Sequence, residues 1–564
     1  MNRFFKHFYV IAATVVLFLL AFFVATKEAI TPLYFILHDA VGQRDISLFD
    51  AEDGNYYVFL PSYAELEQVQ IVLPPMQTFC LDDVCLADRM NCDTFELEKP
   101  YDFFIDGEFV AKLWFLRSQN IATMYIDTVS GEMTEIHNDK SYEEYASMAL
   151  YAANGSMDFY DTKSRLKGRG NSTWNCDKHP YLLTLSTDGD LLGMGSAKKW
   201  VLLANAYDET NLNNKLVYDL AQEVGFGWSP DCQFVDLYLN GEYNGLYLLA
   251  EKIEVYPTRL EINGDAGDYL CMVNTPSRLE NMETFFYSHM GRIIEVCYPE
   301  KLTQLEIDDI SHLIYLMEKD ICSGMDLRYS EILDLDSWVR RYLIDEISGN
   351  IDSDLTSSYY SFHEGKFCAG PVWDYDMAFG NSLRNQEPNS FIAKNAYKRA
   401  DRPSPYYSTL YANESFYRRV LELYRQEFAP ILERFIENDL DVSIEWIRKA
   451  SHMNSIRWRT MYDEWIELTA GTGIVRNPTD LKSYYTRRTQ FLNSAWLDEK
   501  EFCTIQFEIV PGSAYWNISV EKGSYLKTDY LDLVKTEWIN TDAGNLVDFQ
   551  KPVTEDLIVT IKQN

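Results

Sequence analysis

The chain of 564 residues carries 86 acidic and 50 basic side chains, a formal charge of −36, and that deficit of Lys and Arg excludes the phosphate grip on which nucleic-acid binding rests. A content of 47% apolar and 15% aromatic residues excludes wholesale disorder and implies buried cores. The length suggests roughly three to four domains, or one large domain with smaller attachments.

In chain order, residues 1–30 read as a membrane anchor. Arg3 and Lys6 precede the run 8–25, uncharged and with only Thr14 mildly polar, which approaches bilayer-spanning length. A cleaved signal peptide is the alternative, but the residues after Ala25 offer no clear small-residue cleavage site. Basic residues ahead of the span predict a cytoplasmic N-terminus, hence a single N-terminal transmembrane helix with an extracytoplasmic body.

Residues 31–155 alternate β-like runs at 56–62, 69–75 and 122–128 with acidic, turn-rich pieces and read as a small, mostly β domain. From 156 to 500 strands come first and helices dominate later, an α+β order. Here the runs 234–239 and 245–251 predict a hairpin, because Asn240-Gly241 between them favours tight reversal. Ile307, Ile310, Ile314 and Met317 predict a helix over 304–319. Trp338, Val339, Tyr342, Leu343 and Ile347 predict another, with Ser337 near its start. Residues 501–564 return to β character at 507–510, 516–523 and 556–562.

Cysteine and histidine contribute little chemistry. Cys80, Cys85 and Cys92 are close enough for one local disulfide, and the other cysteines are scattered without a pairing signature. No CxxC pair and no HExxH occurs, so a bound metal would be held by carboxylates.

Two constellations carry chemistry. Lys163, Arg165, Lys167 and Arg169 concentrate positive charge in an acidic chain and run into Gly170-Asn171-Ser172-Thr173. Glycines let backbone approach a phosphate, Asn, Ser and Thr donate hydrogen bonds, and Arg grips phosphate oxygens bidentately. The bland reading is a solvated strand edge and a tight turn. The second constellation is Gly349-Asn350-Ile351-Asp352-Ser353-Asp354 and, after two short strands around His363-Glu364-Gly365, Trp373-Asp374-Tyr375-Asp376. A hairpin there would bring carboxylates from two loops together, as phosphoryl transfer requires: one Asp for the attacking hydroxyl, others for magnesium on the nucleotide phosphates. Asp-x-Asp pairs also arise by chance in acidic chains, as at Asp188, Asp334 and Asp439, and a metal-dependent glycosyltransferase acting on a sugar nucleotide is a further reading of them.

The segments 166–174, 178–183, 191–225, 234–254, 298–303, 346–352 and 370–381 resemble, in that order, the CotH kinase family, named after a spore coat protein, over about residues 160–495. The resemblance implies an atypical bilobal protein-kinase-like domain that binds ATP with Mg2+ or Mn2+ and phosphorylates Ser or Thr of surface or coat proteins. By motif, Asp352 is the implied catalytic base and Asp374 the metal ligand with Asp376 as companion. Arg169, Asn171, Ser172 and Thr173 would line the phosphate loop, and Lys178 would contact phosphate. Departures stand at Thr184, where many members have Lys; at Met272, where many have an acid; at Asn213-Asn214, often Arg-Asn; and at Ser357, where a kinase commonly places a metal-binding Asn. They leave open a non-catalytic pseudokinase serving as a cell-surface or spore-coat scaffold. The tail 501–564 resembles the β-grasp, internalin-type B repeat of bacterial surface proteins in Val520-Glu521-Lys522-Gly523, Trp538, Gly544, Asp548-Phe549 and the run 552–556.

Overall fold

The computed structural model describes residues 33–39, 42–382, 384–395, 406–459, 461, 475–510, 514–526 and 537–562. They fold as two compact units, one comprising residues up to 60, 64–117 and 241–243, the other 61–63, 118–240 and 244 onward. The division falls at 117/118, whereas the sequence pattern places it at 155/156.

The first unit is all β. A three-stranded antiparallel sheet pairs Tyr34–His38 with both Gln43–Ser47 and Val69–Val72. A six-stranded sheet contains one parallel pair, Asn55–Leu60 beside Glu108–Arg117. Its core is aromatic: Phe95 stacks on Phe115 at 5.5 Å between ring centroids, and Phe35 meets Phe115 edge-on. A Cys80–Cys85 disulfide closes one hairpin.

The second unit opens with a closed seven-stranded barrel formed by Ala122–Thr128, Glu143–Tyr151, Met157–Gly168, Tyr181–Asp190, Ser196–Leu203, Cys232–Leu239 and Glu242–Glu251. Closure comes from the parallel pairing of Ala122–Thr128 with Cys232–Leu239. The barrel interior is filled by Met124, Met148, Leu166, Leu183, Trp200, Leu237 and Leu249, all fully buried. The expected hairpin is its last corner, where Asn240 at φ 50° and Gly241 at φ 82° supply the two left-handed residues of a tight reversal.

A five-stranded sheet follows, ordered Phe285–Tyr287, Ile293–Tyr298, Tyr269–Asn274, Ser358–His363, Lys366–Ala369. Helices α1 (Asn213–Glu223), α2 (Gln304–Cys322) and α3 (Leu335–Ser348) pack in the same large core. Helix α2 starts where the pattern predicts, because Thr303 and Glu306 form a reciprocal capping box. Later helices include Glu414–Leu423, Leu440–Arg457 and Pro478–Trp496. The tail is a four-stranded mixed sheet, Ala514–Glu521, Phe502–Val510, Leu557–Ile561, Trp538–Asn540, with its two central strands parallel.

The expectation of a membrane-anchored chain with an extracytoplasmic body is corrected: among the described residues no helix is long and apolar enough to cross a membrane. The run 8–25 that carried it, on composition and two flanking charges alone, lies outside the described residues.

Candidate active site

Helix α3 positions the acidic loop. Asp334 caps it by accepting from the Ser337 backbone N–H, and Gly349 at φ 64° ends it in the left-handed region. The predicted apolar face, Trp338, Val339, Tyr342, Leu343 and Ile347, is buried, and Trp338 stacks on Tyr360 of the neighbouring strand at 4.9 Å. The helix also buries charge on its other faces, at Arg341, Asp345 and Glu346.

Those charges hold the loops. The Asp345 carboxylate accepts from Arg341 Nε at 3.1 Å, Asn350 Nδ2 at 3.1 Å, Ser353 Oγ at 2.8 Å and Tyr375 Oη at 2.6 Å. It thereby ties both flanks of Asp352 and the residue between Asp374 and Asp376 to one point. Arg341 reaches on to the Pro371 carbonyl at 3.0 Å. Burial works against the Arg341 charge, but Asp345 outweighs it and raises the guanidinium's pKa above its ordinary value. Glu346 pairs with buried Arg488 at 2.6 Å and accepts from the Lys394 backbone N–H.

The barrel supplies the opposite wall through the loop after Met157–Gly168. At Gly168 an added Cβ would lie 2.2 Å from the Trp174 ring, and at Gly170, φ 88°, it would lie 2.6 Å from Thr173 Oγ1, so the loop closes on itself only with glycine there. The Arg169 guanidinium lies 5.3 Å from the centroid of the Trp373 ring, joining this loop to the Trp373-to-Asp376 segment. Burial pulls its pKa below the ordinary value while Asp374 pulls the other way.

Between these walls lies a cleft of about 180 Å3 lined by Arg169, Asn171, Ser172, Thr173, Asp352, Asp374 and Asp376, with Asn205, Tyr207, Asn214, Met272, Arg278, Ser357 and Tyr359 among the other walls. The two acidic loops, separate in sequence, thus converge, and they do so opposite the glycine turn. Lys178 does not join them. It is fully buried, donates to the Leu246 carbonyl at 2.7 Å and faces the Tyr247 ring at 4.7 Å, and burial drives its pKa well below the ordinary lysine value.

The acids differ in surroundings. Asp374 is exposed to the cleft at φ 71° and accepts from Ser357 Oγ at 3.0 Å. Asp352 is half-buried, its N–H donating to Asn350 Oδ1 at 3.0 Å. Asp376 is buried, and burial first, then Asp374, Asp208 and Asp352, push its pKa well above the carboxylate range. Asp354, the other half of the first Asp-x-Asp pair, is buried against Arg292 at 3.4 Å and accepts from Tyr360 Oη at 2.7 Å, so it packs and does not line the cleft.

Several residues to which the sequence assigned no role hold the site, Asn213 and Asn214 having stood out only as a departure from the family's Arg-Asn pair. Asn213 Nδ2 donates to the Asp376 and Ala378 carbonyls, both at 3.1 Å, and Asn214 Oδ1 accepts from the Tyr375 N–H at 2.8 Å. Asp208 accepts from the Asn213 and Thr210 N–H groups, and burial raises its pKa to about 6. For Asp208 the run of amides and acids at the start of α1 was the available signal. Tyr207 and Arg278 had none.

No group of three or more His, Cys, Asp or Glu side chains set to hold a metal occurs among the described residues. Magnesium, however, is usually held by one or two carboxylates with substrate phosphates completing its shell. Asp374 and Asp376 offer two carboxylates for such a shell, and a divalent cation would offset the burial and the neighbouring carboxylates that raise the Asp376 pKa.

No curated protein matches the chain. The family model described as CotH kinase protein matches residues 166–492, more than half of the sequence and a span containing every cleft residue named above. The chain belongs to the CotH kinase family.

Proposed function

We propose that the chain is a protein kinase that transfers the γ-phosphate of ATP to Ser or Thr hydroxyls of coat or surface proteins. The observation that carries this reading is the convergence of Asp352, Asp374 and Asp376 opposite Arg169 and the Asn171-Ser172-Thr173 turn in one cleft. In this role Asp352 orients the acceptor hydroxyl and takes its proton as the new O–P bond forms and the bond to the departing ADP breaks. Arg169 grips phosphate oxygens, held in place by Trp373. Asp374 and Asp376 hold Mg2+ or Mn2+, which when bound neutralises charge on the nucleotide phosphates. Ser357 orients Asp374 through its 3.0 Å hydrogen bond.

A second reading, a non-catalytic scaffold on the same fold, draws on the departures. Met272 brings an apolar thioether to the cleft wall, and Thr184 is buried between Arg165 and Lys199 without a charge to offer. The strand order of the tail, second-first-fourth-third with a parallel central pair, suits the β-grasp repeat it resembles.

Labelled ATP with the full chain, magnesium or manganese, and Asp374→Ala in parallel separates the readings. Label on the wild type and none on the folded variant is expected. Equal labelling of both, or none on either, overturns the kinase.

A further inference from the structure

Sequence singles out four basic residues, of which the cleft uses only Arg169. The strand Met157–Gly168 explains the other three. From Ser164 onward its side chains alternate, with Ser164, Leu166 and Gly168 buried toward the barrel interior and Arg165 and Lys167 outward. Lys163 is exposed at the irregularity just before, where the register with the preceding strand shifts. The outer face of one strand therefore carries a basic stripe that ends at the cleft rim, in a chain whose formal charge is −36.

The residues paired with Arg165 and Lys167 are Tyr145 and Glu143 on one flanking strand and Thr184 and Leu182 on the other, so Glu143, 2.6 Å from Arg165, is the one acid among those four. Asp161, buried on the basic strand itself, accepts from the Lys163 backbone N–H at 2.9 Å. Directly opposite Arg165 stands Tyr145, 61% exposed, and Tyr160 on the basic strand itself is 52% exposed. Tyrosine and arginine are the residue types enriched where proteins make contact. From Gly168 back to Arg165 both flanks of the strand are hydrogen-bonded to other barrel strands, so contact there is through side chains and not by strand addition.

We propose that this face docks a carboxylate-rich segment of the protein substrate and delivers the acceptor Ser or Thr to the cleft. The inference rests on the kinase reading and adds the substrate class, acidic protein segments. An extended chain rises about 3.3 Å per residue, so Arg165 and Lys163 lie about 13 and 20 Å along the strand from Arg169, reach for acids roughly four to six residues from the acceptor. The field of the whole molecule repels an acidic peptide, so binding requires a local patch.

The test uses the full chain and a fluorescein-labelled peptide with one Ser and a run of Asp and Glu starting about four residues from it, compared by anisotropy with its Asn and Gln counterpart. The acidic peptide should bind about ten-fold more tightly at low salt, the advantage fading as salt rises. It should also vanish in Lys163→Glu/Arg165→Glu and in Lys163→Gln/Lys167→Gln, the latter leaving the Glu143 pair intact. Equal binding of the two peptides, or a preference unchanged in both folded variants, overturns the docking face. Phosphate transfer to each peptide is read alongside. Acidic-peptide binding without any transfer overturns the kinase reading while the docking stands, and transfer without preference overturns the docking alone.

Discussion

The buried pair of Arg341 and Asp345 makes the strongest stability prediction. Both side chains are at most 2% exposed, and the carboxylate accepts from four donors. In Asp345→Asn, one oxygen is replaced by an amide nitrogen that faces two of those donors, and the Arg341 charge loses its partner. An unsatisfied buried group costs about 1–3 kcal/mol, and breaking a buried ion pair about 3–5 kcal/mol, so the variant should lose about 4 kcal/mol. Arg341→Met strands the carboxylate and the Pro371 carbonyl and should lose about as much. The double variant removes charge from both sides, and its loss should fall short of the sum by about 2 kcal/mol or more. Denaturant unfolding followed through the tryptophans of this unit measures the cycle. Because the brace holds the flanks of Asp352, Asp345→Asn should also lower kcat more than it raises KM for nucleotide. Single losses that add to within about 0.5 kcal/mol of the double would refute the brace.

Three further outcomes follow from single contacts. Ser357→Ala removes the hydroxyl on Asp374, a bond of about 1 kcal/mol, and should raise the magnesium concentration needed for half-maximal phosphate transfer about five-fold; an unchanged metal titration would show that Ser357 does not orient Asp374. Gly168→Ala puts a methyl 2.2 Å from the Trp174 ring and should cost about 1–3 kcal/mol, read as a lower thermal midpoint with altered tryptophan emission; a neutral result would mean that the glycine is not required by packing. Burial, then His179, lowers the His137 pKa to about 4, whereas in the unfolded chain it titrates near 6.5. The unfolded chain therefore binds the extra proton between those values, and the stability His137 confers is complete above about pH 6.5 and is lost as pH falls toward about 4. The thermal midpoint should decline over that window in the wild type and less steeply in His137→Gln; parallel slopes would exclude His137 as the source.

What the sequence revealed of the site was what local chemistry writes into short runs. Asp352, Asp374, Asp376 and the Arg169-to-Thr173 turn stand in motifs whose residue types fit only a few chemistries, and the cleft assembles them. The helix and hairpin that place them were legible from apolar spacing and from Glu364-Gly365, both left-handed at φ 51° and 79°. Lys178 shows the limit of motif reading, because nothing in KHPY says whether an ammonium faces solvent or a barrel interior. Barrel closure was invisible, since pairing Ala122–Thr128 with Cys232–Leu239 is a choice between distant partners that no local pattern encodes. For the same reason Asp345 reads as an ordinary polar residue, and Asn214 only as half of a departure from the family's Arg-Asn pair. Both meet Tyr375, which reaches them from another loop.

The backbone of the acidic loops bears on whether the cleft is an enzyme or a platform. Asp354 at φ 53°, Ser357 at 52°, Asp374 at 71° and Phe379 at 51° all occupy the left-handed region without being glycine. Each such residue costs on the order of 1 kcal/mol and persists only where its surroundings over-determine it. Here they do: Tyr360 and Arg292 fix Asp354, Ser357 and Asp374 fix each other, and the Phe379 N–H donates to the Ser348 carbonyl at 2.7 Å. The departure at Thr184 lies on a barrel strand and that at Met272 on the strand paired with Ser358–His363, and neither side chain takes part in these contacts. A surface used only for docking has no need to aim Asp374 into a cleft from a strained position. The one departure inside the braced loops, Ser357, is itself hydrogen-bonded to that carboxylate, so a hydroxyl contact on Asp374 persists where the amide is absent.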